Sequence, residues 1–423
     1  MTMTDIAPQS WGGKKRTTDR LQERISRVLG HAAELRPAAP SRANALEIAQ
    51  TWAPENPVLC FAPDILCNRA RRFLDEFPGQ VTYAVKANST APVVTELAGS
   101  GVLGFDVASV PEMEIVRNIS PAANLHYHNP IKSRREIETA YETHRVRHFA
   151  LDDEEELEKI AECANPAETT LAVRFRLEST QAIHDFTTKF GATPEKAAKL
   201  LRKAAGWGYT PGLTFHPGSQ CYHPDAYTRH IQESAKIALT AGVELENLNV
   251  GGGFPAEYPG ADLPALGTFF EAIRRATLDS FGFHAPLLAC EPGRAMVAPS
   301  MSLLVQIKHV RREAAEIFLS DGIYGALMEL SQAPLTPPVR LLRVANALPS
   351  ARKKPFTAYG PTCDPLDTLP APLSLPEDTN AGDYLEFGFM GAYSSATATD
   401  FNGYGQIQIE PVRSVFDGHQ DCG

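Results

Sequence analysis

The sequence lacks any apolar run of the roughly 18 residues or more that a membrane-spanning helix needs, so no such helix is expected. It also lacks a Cys-x-x-Cys pair. Its seven cysteines are an odd number, scattered singly, which argues for reduced thiols in a cytoplasmic setting rather than a disulfide framework. A basic patch near the start (Lys14, Lys15, Arg16) has no apolar core behind it, which argues against a secretory signal. There is no excess of positive charge: the formal net charge of −10 speaks against nucleic acid as a partner and permits a cationic substrate. What remains is a 423-residue chain, 43% hydrophobic, long enough for one large domain and a second, smaller one.

Residues 1–45 carry little apolar periodicity and end in an Ala/Pro/Arg-rich stretch, and they read as a flexible extension, as does the tail after Ser414. Between them, short β-like runs recur at Val81–Ala87, Val102–Ala108, Leu125–His128, Arg147–Leu151, Thr170–Leu177, Gly212–His216, Asn247–Val250 and Pro286–Glu291. Amphipathic helical stretches separate them, as at Pro194–Ala205 and Pro224–Ala241. Strands alternating with helices over about 220 residues predict a (β/α)8 barrel across residues 62–300. The rival, a doubly wound open sheet, should carry a glycine fingerprint after its first strand, and Lys86-Ala87-Asn88 is not one. After about residue 300, strands joined by Pro- and Gly-rich loops predict a C-terminal β-sandwich or β-barrel domain, formed by residues 46–61 and 301–423.

Barrel active sites lie at the C-terminal ends of the strands. Here those ends collect Lys86, Asp106, His128, Arg174, His216, Gly251–Gly253 and Glu291–Arg294. Period-two alternation puts Thr82, Ala84 and Lys86 on one inward face. A lone lysine at a strand end simply reaches solvent in most proteins, but one enclosed with such neighbours is suited to form a Schiff base. The triple glycine lets backbone N–H groups approach a phosphate, although tight turns use glycine as often; Arg294 adds a cation. Glu291 ends a buried-looking strand and needs either a protonated ring nitrogen or a structural ion pair. His126 and His128 suggest a metal, yet no third ligand lies at strand or helix spacing, and no metal is expected. Gly360-Pro361-Thr362-Cys363-Asp364 reads either as a turn with an incidental thiol or as a proton donor to a carbanion.

An ordered set of motifs over roughly residues 58–405 sharpens this. They are Tyr83-Ala84-Val85-Lys86-Ala87-Asn88, Gly104-Phe105-Asp106-Val107-Ala108-Ser109, Lys189-Phe190-Gly191-Ala192, His216-Pro217-Gly218-Ser219, Gly251-Gly252-Gly253-Phe254-Pro255, Glu291-Pro292-Gly293-Arg294, the Cys363-Asp364 loop, and Met390-Gly391-Ala392-Tyr393 with Phe401-Asn402-Gly403. Together they resemble the alanine racemase-like (fold type III) pyridoxal phosphate enzymes, in the ornithine/lysine decarboxylase branch. The resemblance implies that Lys86 forms the Schiff base to pyridoxal 5'-phosphate, with Asp106 and Arg174 nearby and His216 stacked on the ring. It implies that Ser219, Gly252, Gly253, Arg294 and Tyr393 hold the phosphate and that Glu291 meets the ring nitrogen. Cys363 would reprotonate the α-carbon and Asp364 would contact the distal amine of the substrate, both reaching into the site of a partner subunit in a homodimer.

Two departures bear on the substrate. Pro217 replaces a small aliphatic residue and restrains the His216 loop. After Asp321-Gly322-Ile323-Tyr324-Gly325, the Tyr-Asp pair of eukaryotic ornithine decarboxylases is absent. Glu329, with Tyr324, is the candidate to replace it. The expected reaction is decarboxylation of ornithine, or next lysine, to a diamine for polyamine synthesis. Diaminopimelate or carboxynorspermidine decarboxylation is an alternative, the former disfavoured by Cys-Asp where its motif has Cys-Glu. An inactive regulatory homologue is another, against which the full set of cofactor contacts stands.

Overall fold

The computed structural model describes residues 40–177, 182–184, 189–344 and 348–416. Eight parallel strands, Gln80–Ala84, Gly104–Val107, Asn124–Tyr127, His148–Leu151, Thr170–Arg174, Thr210–Thr214, Asn247–Asn249 and Leu287–Cys290, form a closed barrel. Ala289 and Cys290 pair with Gln80 and Val81 to seal it. All eight predicted strands are present, with their ends shifted by a few residues. The helices between them start where the sequence supplies caps: Ser109, Asp153 and Thr193 accept hydrogen bonds from N–H groups of the first turns, and Ser133 with Glu136 forms a capping box.

Alternation along the strands divides the barrel chemically. Outward residues such as Tyr83, Phe105, Tyr127, Phe149 and Val173 are buried against the helices. Inward positions carry Gln80, Thr82, Ala84, Asp106, His126, His148, Thr170, Ala172, Thr214, Asn247 and Asn249, small or polar where such barrels usually stack branched aliphatics. These side chains do not fill the lumen. A cavity of about 350 Å³ remains at its floor, lined by Gln80, His126, His148, Thr170 and Asn247 among others.

The second sheet has eight strands, in the order Val339–Leu342, Tyr384–Phe387, Met301–Arg311, Glu316–Leu319, Lys353–Tyr359, Leu373–Pro376, with Val58–Phe61 and Gln408–Pro411 attached. Val58–Phe61 runs antiparallel to the start of Met301–Arg311 and parallel to Gln408–Pro411. Leu373–Pro376 escapes the sequence reading because prolines bracket it. So does the small sheet of Ala182–His184 with Ser219–Cys221, whose strands are three residues each.

Of the expected extension over residues 1–45, residues 1–39 lie outside the described residues, and residues 40–45 are docked. Arg42 bridges to Val412 and pairs with Glu410. Asn44 caps the helix Ala45–Thr51. The Arg413 and Ser414 N–H groups donate to the carbonyls of Arg42 and Ala43, so the two ends of the described chain dock together. Low periodicity hid this because the contacts are backbone bonds and one ion pair. Residues 417–423 of the expected mobile tail lie outside the described residues. Among the described residues, no helix is long and apolar enough to cross a membrane.

Behind the triple glycine, the Phe254 ring lies 5.5 Å from Phe73, 5.7 Å from Phe270 and 5.0 Å from Tyr227, tying the loop to three helices. Phe254→Ala should cost about 3–5 kcal/mol. Urea unfolding should show a lower midpoint at an unchanged slope.

Candidate active site

Lys86 is not the last residue of a strand. The strand ends at Ala84, and Val85–Ala87 forms a 3-10 turn that swings Lys86 over the barrel mouth. This corrects the simple alternation that put Lys86 in line with Thr82 and Ala84. The turn is held from two sides. The Ala84 N–H donates to Pro292 O, and a Cβ on Gly293 would come within 2.9 Å of Ala87 Cβ, so only glycine lets the two loops close. From the second domain, the Tyr393 N–H donates to Ala87 O, and Asn88 Nδ2 donates to Gly391 O. Tyr393 itself sits at φ +60, an uncommon left-handed conformation for a side chain of its size.

A cavity of about 480 Å³ opens in front of Lys86. Its wall brings together Lys86, Asp106, Arg174, His216, Ser219, Glu291, Arg294, Glu329 and Tyr393 from the residues expected above. Gly252 and Gly253 lie behind that wall. A Cβ on Gly252 would meet Glu291 O at 2.6 Å and approach His216 Nε2 at 3.2 Å; one on Gly253, at φ +88, would meet Gly218 O at 2.4 Å. The glycines therefore let His216 lie flat over the loop. Gly218 donates its N–H to His216 Nδ1 at 3.1 Å, which leaves the proton of a neutral ring on Nε2.

Cys363, Asp364 and Tyr324 do not line this cavity. Cys363 is exposed, with its thiol 3.2 Å from Asn402 Oδ1, and the Tyr324 hydroxyl donates to Asp364 Oδ2 at 2.6 Å. That bond holds the Asp364 carboxyl below its usual range.

Electrostatics separate the two carboxylates at the mouth. Burial pushes Glu291 up, but His128, by charge and hydrogen bond, and then the Lys86 charge outweigh it and hold the group ionised. Asp106 is pushed up to about 7, first by burial and then by the Glu291 charge, with Lys86 and His128 opposing. Burial works against the Lys86 ammonium, yet Asp106, Tyr393 and Glu291 raise it above the usual lysine range. His216 is driven well down by burial and by the Lys86 and Arg174 charges, so it is neutral.

Arg294 shows something the sequence did not. Its guanidinium forks onto both Glu329 oxygens, one bond being 2.9 Å, and also reaches Tyr258 Oη at 3.2 Å. Two residues expected to serve different ligands are thus paired with each other. Arg294 Nε is buried without a hydrogen-bond partner.

Of the two residues that hold Glu291, sequence reasoning placed His128 at a strand end without this role and passed over Asn249. His128 Nδ1 lies 2.5 Å from Glu291 Oε1, and Asn249 Nδ2 donates to the same oxygen at 2.6 Å. Asn249 could have been found as a polar residue at an inward position two before the glycines. Among the described residues, the His126–His128 pair gains no third partner of that kind; instead Asp106, His128 and Glu291 bring polar atoms within 4.8 Å of one another, without His126. They come from three separate strand ends, which spacing along one element cannot reveal. Gln332, on the short helix Met328–Gln332, also lines the wall.

An amine facing a buried anion, with a neutral imidazole beside them and a glycine loop and arginine to one side, defines a barrel enzyme for a flat, phosphate-bearing cofactor with a basic ring nitrogen. The comparisons with known proteins agree. Residues 64–298 match the pyridoxal-dependent decarboxylases through their pyridoxal binding domain. The chain is 34% identical over 334 residues to a lysine/ornithine decarboxylase of Selenomonas ruminantium, covering 77% of this chain and 81% of that one. Among solved structures, the lysine/ornithine decarboxylase of Vibrio vulnificus complexed with putrescine superposes with a TM-score of 0.75 at 28% identity, over 86% of this chain and 96% of the other. An arginine decarboxylase of Paramecium bursaria Chlorella virus gives a TM-score of 0.77 at 26% identity, over 86% and 98%. This chain belongs to the pyridoxal-dependent decarboxylases, in the branch of the lysine/ornithine enzymes, and its cofactor is pyridoxal 5'-phosphate. Its residues fit that group: the unpartnered Arg294 Nε and the glycine loop suit a phosphate, and ionised Glu291 suits a protonated ring nitrogen.

The Asp106 shift has a stability consequence. Its carboxyl titrates near 4 when unfolded and about 7 when folded, so its contribution is complete below about pH 4 and is lost as pH rises through about 7. Cofactor-free Asp106→Asn protein should therefore exceed the parent in Tm at pH 8. Thermal scans should show that advantage shrinking steadily as pH is lowered from about 7 toward about 4.

Proposed function

We propose that this chain decarboxylates a basic L-amino acid, ornithine first and lysine next, to the corresponding diamine for polyamine synthesis. We place it in the cytoplasm, as a homodimer with shared active sites. The observation that carries the substrate class is the carboxylate of Glu329 on the wall of the cavity that Lys86 faces. The relatives named above act on, or are bound to, molecules with a distal cation.

In this reading Lys86 holds the cofactor aldehyde and Glu291 its ring nitrogen. His216 would stack on the ring, with Asp106 and Arg174 near the group. Ser219, Gly252, Gly253, Arg294 and Tyr393 receive the phosphate. The cofactor supplies the electron sink that lets the α-carboxylate leave as CO2. The protein excludes water around that carbon and then returns a proton to it from the Cys363 thiol of the partner subunit. Arg294 would give its guanidinium to the phosphate, and the Glu329 carboxylate would then join Asp364 of the partner subunit and Tyr324 of the partner subunit around the distal ammonium, which needs an anion once desolvated. Cys363 and Asp364 lie outside their own chain's cavity, and Leu366 beside them is 70% exposed; both facts support a second copy covering this face.

CO2 release from ornithine or lysine by the purified holoenzyme tests the reading directly, and release from neither overturns it. Mixing inactive Lys86→Ala with inactive Cys363→Ala protein should recover about a quarter of parental activity if subunits exchange freely and each dimer has two composite sites. No recovery despite demonstrated exchange counts against shared sites.

Glu329→Gln should lower kcat/KM for the diamino acid about 10-fold to 150-fold, the worth of one hydrogen bond to a charged group. An uncharged analogue of equal length should lose much less. Equal losses on both would mean that Glu329 serves the cofactor or the fold.

A further inference from the structure

Two bonds converge on one oxygen of Glu291. His128 Nδ1 approaches Oε1 at 2.5 Å and Asn249 Nδ2 donates to it at 2.6 Å. Among the described residues, no hydrogen bond is recorded to Oε2. The carboxylate is therefore held by one oxygen and presents the other to the cavity. Asn249 is itself fixed, since its Oδ1 accepts the Gly251 N–H at 2.8 Å. His128 is 9% exposed and lines both cavities, so its ring is part of the partition between the cofactor side and the barrel floor.

We propose that His128 is a positioning residue for the cofactor: by holding Glu291 Oε1 it leaves Oε2 available to the ring nitrogen. This rests on the reading of Glu291 as the ring-nitrogen partner. The imidazole suits the task for two reasons. A donor on Nδ1 gives Glu291 a charge-assisted bond in a water-poor setting, where such bonds are strongest. The ring also gains polar backing from below. His126 lies 5.3 Å under it and stacks on His148 at 4.2 Å, with an interplanar angle of 8°. Both ring nitrogens of His126 are buried without a protein partner beside the 350 Å³ floor cavity. The histidine column thus gives His128 a polar rather than apolar footing. An apolar footing would favour a neutral Glu291 and weaken its hold on a protonated ring.

The test reads cofactor affinity by equilibrium dialysis of the holoenzyme, together with the position of the bound cofactor's visible absorbance band. His128→Ala should weaken cofactor binding about 10-fold or more and move the band. His128→Asn, which keeps a donor, should recover most of the affinity. His148→Met, one layer down and away from Glu291, should weaken binding by clearly less than His128→Ala does. Should His128→Ala not yield folded protein, His128→Leu against His128→Asn carries the same comparison. If the apolar variant loses only thermal stability while affinity and band stay parental, His128 merely fills space and the proposal falls. It also falls if His148→Met weakens binding as much as His128→Ala. Glu291→Gln separates the two levels of argument. If it leaves affinity and band unchanged, Glu291 does not meet the ring. If it weakens binding where the His128 variants do not, the error lies with His128 alone.

Discussion

Glu291 is a buried anion at the barrel mouth, where an uncompensated carboxylate would take up a proton. His128 and Asn249 bond it, and the Lys86 charge attracts it. Each of those partners stands on a different strand end, so the closed sheet has to be complete before the anion is stable. The division of labour within the strands follows from this. Outward residues form the apolar contacts that hold barrel to helices, while inward positions are kept small and polar to seat charges that a branched aliphatic would displace.

The mouth is also where the two domains meet. Tyr393 bonds the Lys86 turn through its backbone, and Arg294 lies against the Tyr393 ring, 4.9 Å from its centroid. A Cβ on Gly391 would sit 1.7 Å from Val297 O, which is how closely the second domain's loop approaches the end of the barrel. The site is therefore a seam, and its geometry depends on docking as much as on either core.

The fold class and the main charged residues were legible because each rests on a local signal. Strand periodicity, glycine runs and a lysine or glutamate closing an apolar strand all show within a few residues of chain. What was not legible depends on distance in space. His128 was noticed but dismissed for want of a neighbour in sequence; its neighbours are Glu291 and Asn249, more than a hundred residues away. The Arg294–Glu329 pair joins a barrel loop to a short helix of the β domain, so neither end announces the other. Lys86 was found for its chemistry, but the turn that carries it breaks the alternation from which its direction was argued.

The strand Val58–Phe61 leaves a mark on how the molecule comes to exist. It belongs to a sheet whose other strands begin at Met301 and end at Pro411, on the far side of the barrel in sequence. On a ribosome adding about 5–20 residues per second, this apolar segment waits on the order of tens of seconds for its partners. The whole barrel emerges in that interval. The nascent chain thus carries a sticky, unpaired strand ahead of an already foldable domain, and the order of assembly is written into the threading: barrel first, then the sheet that closes over both ends.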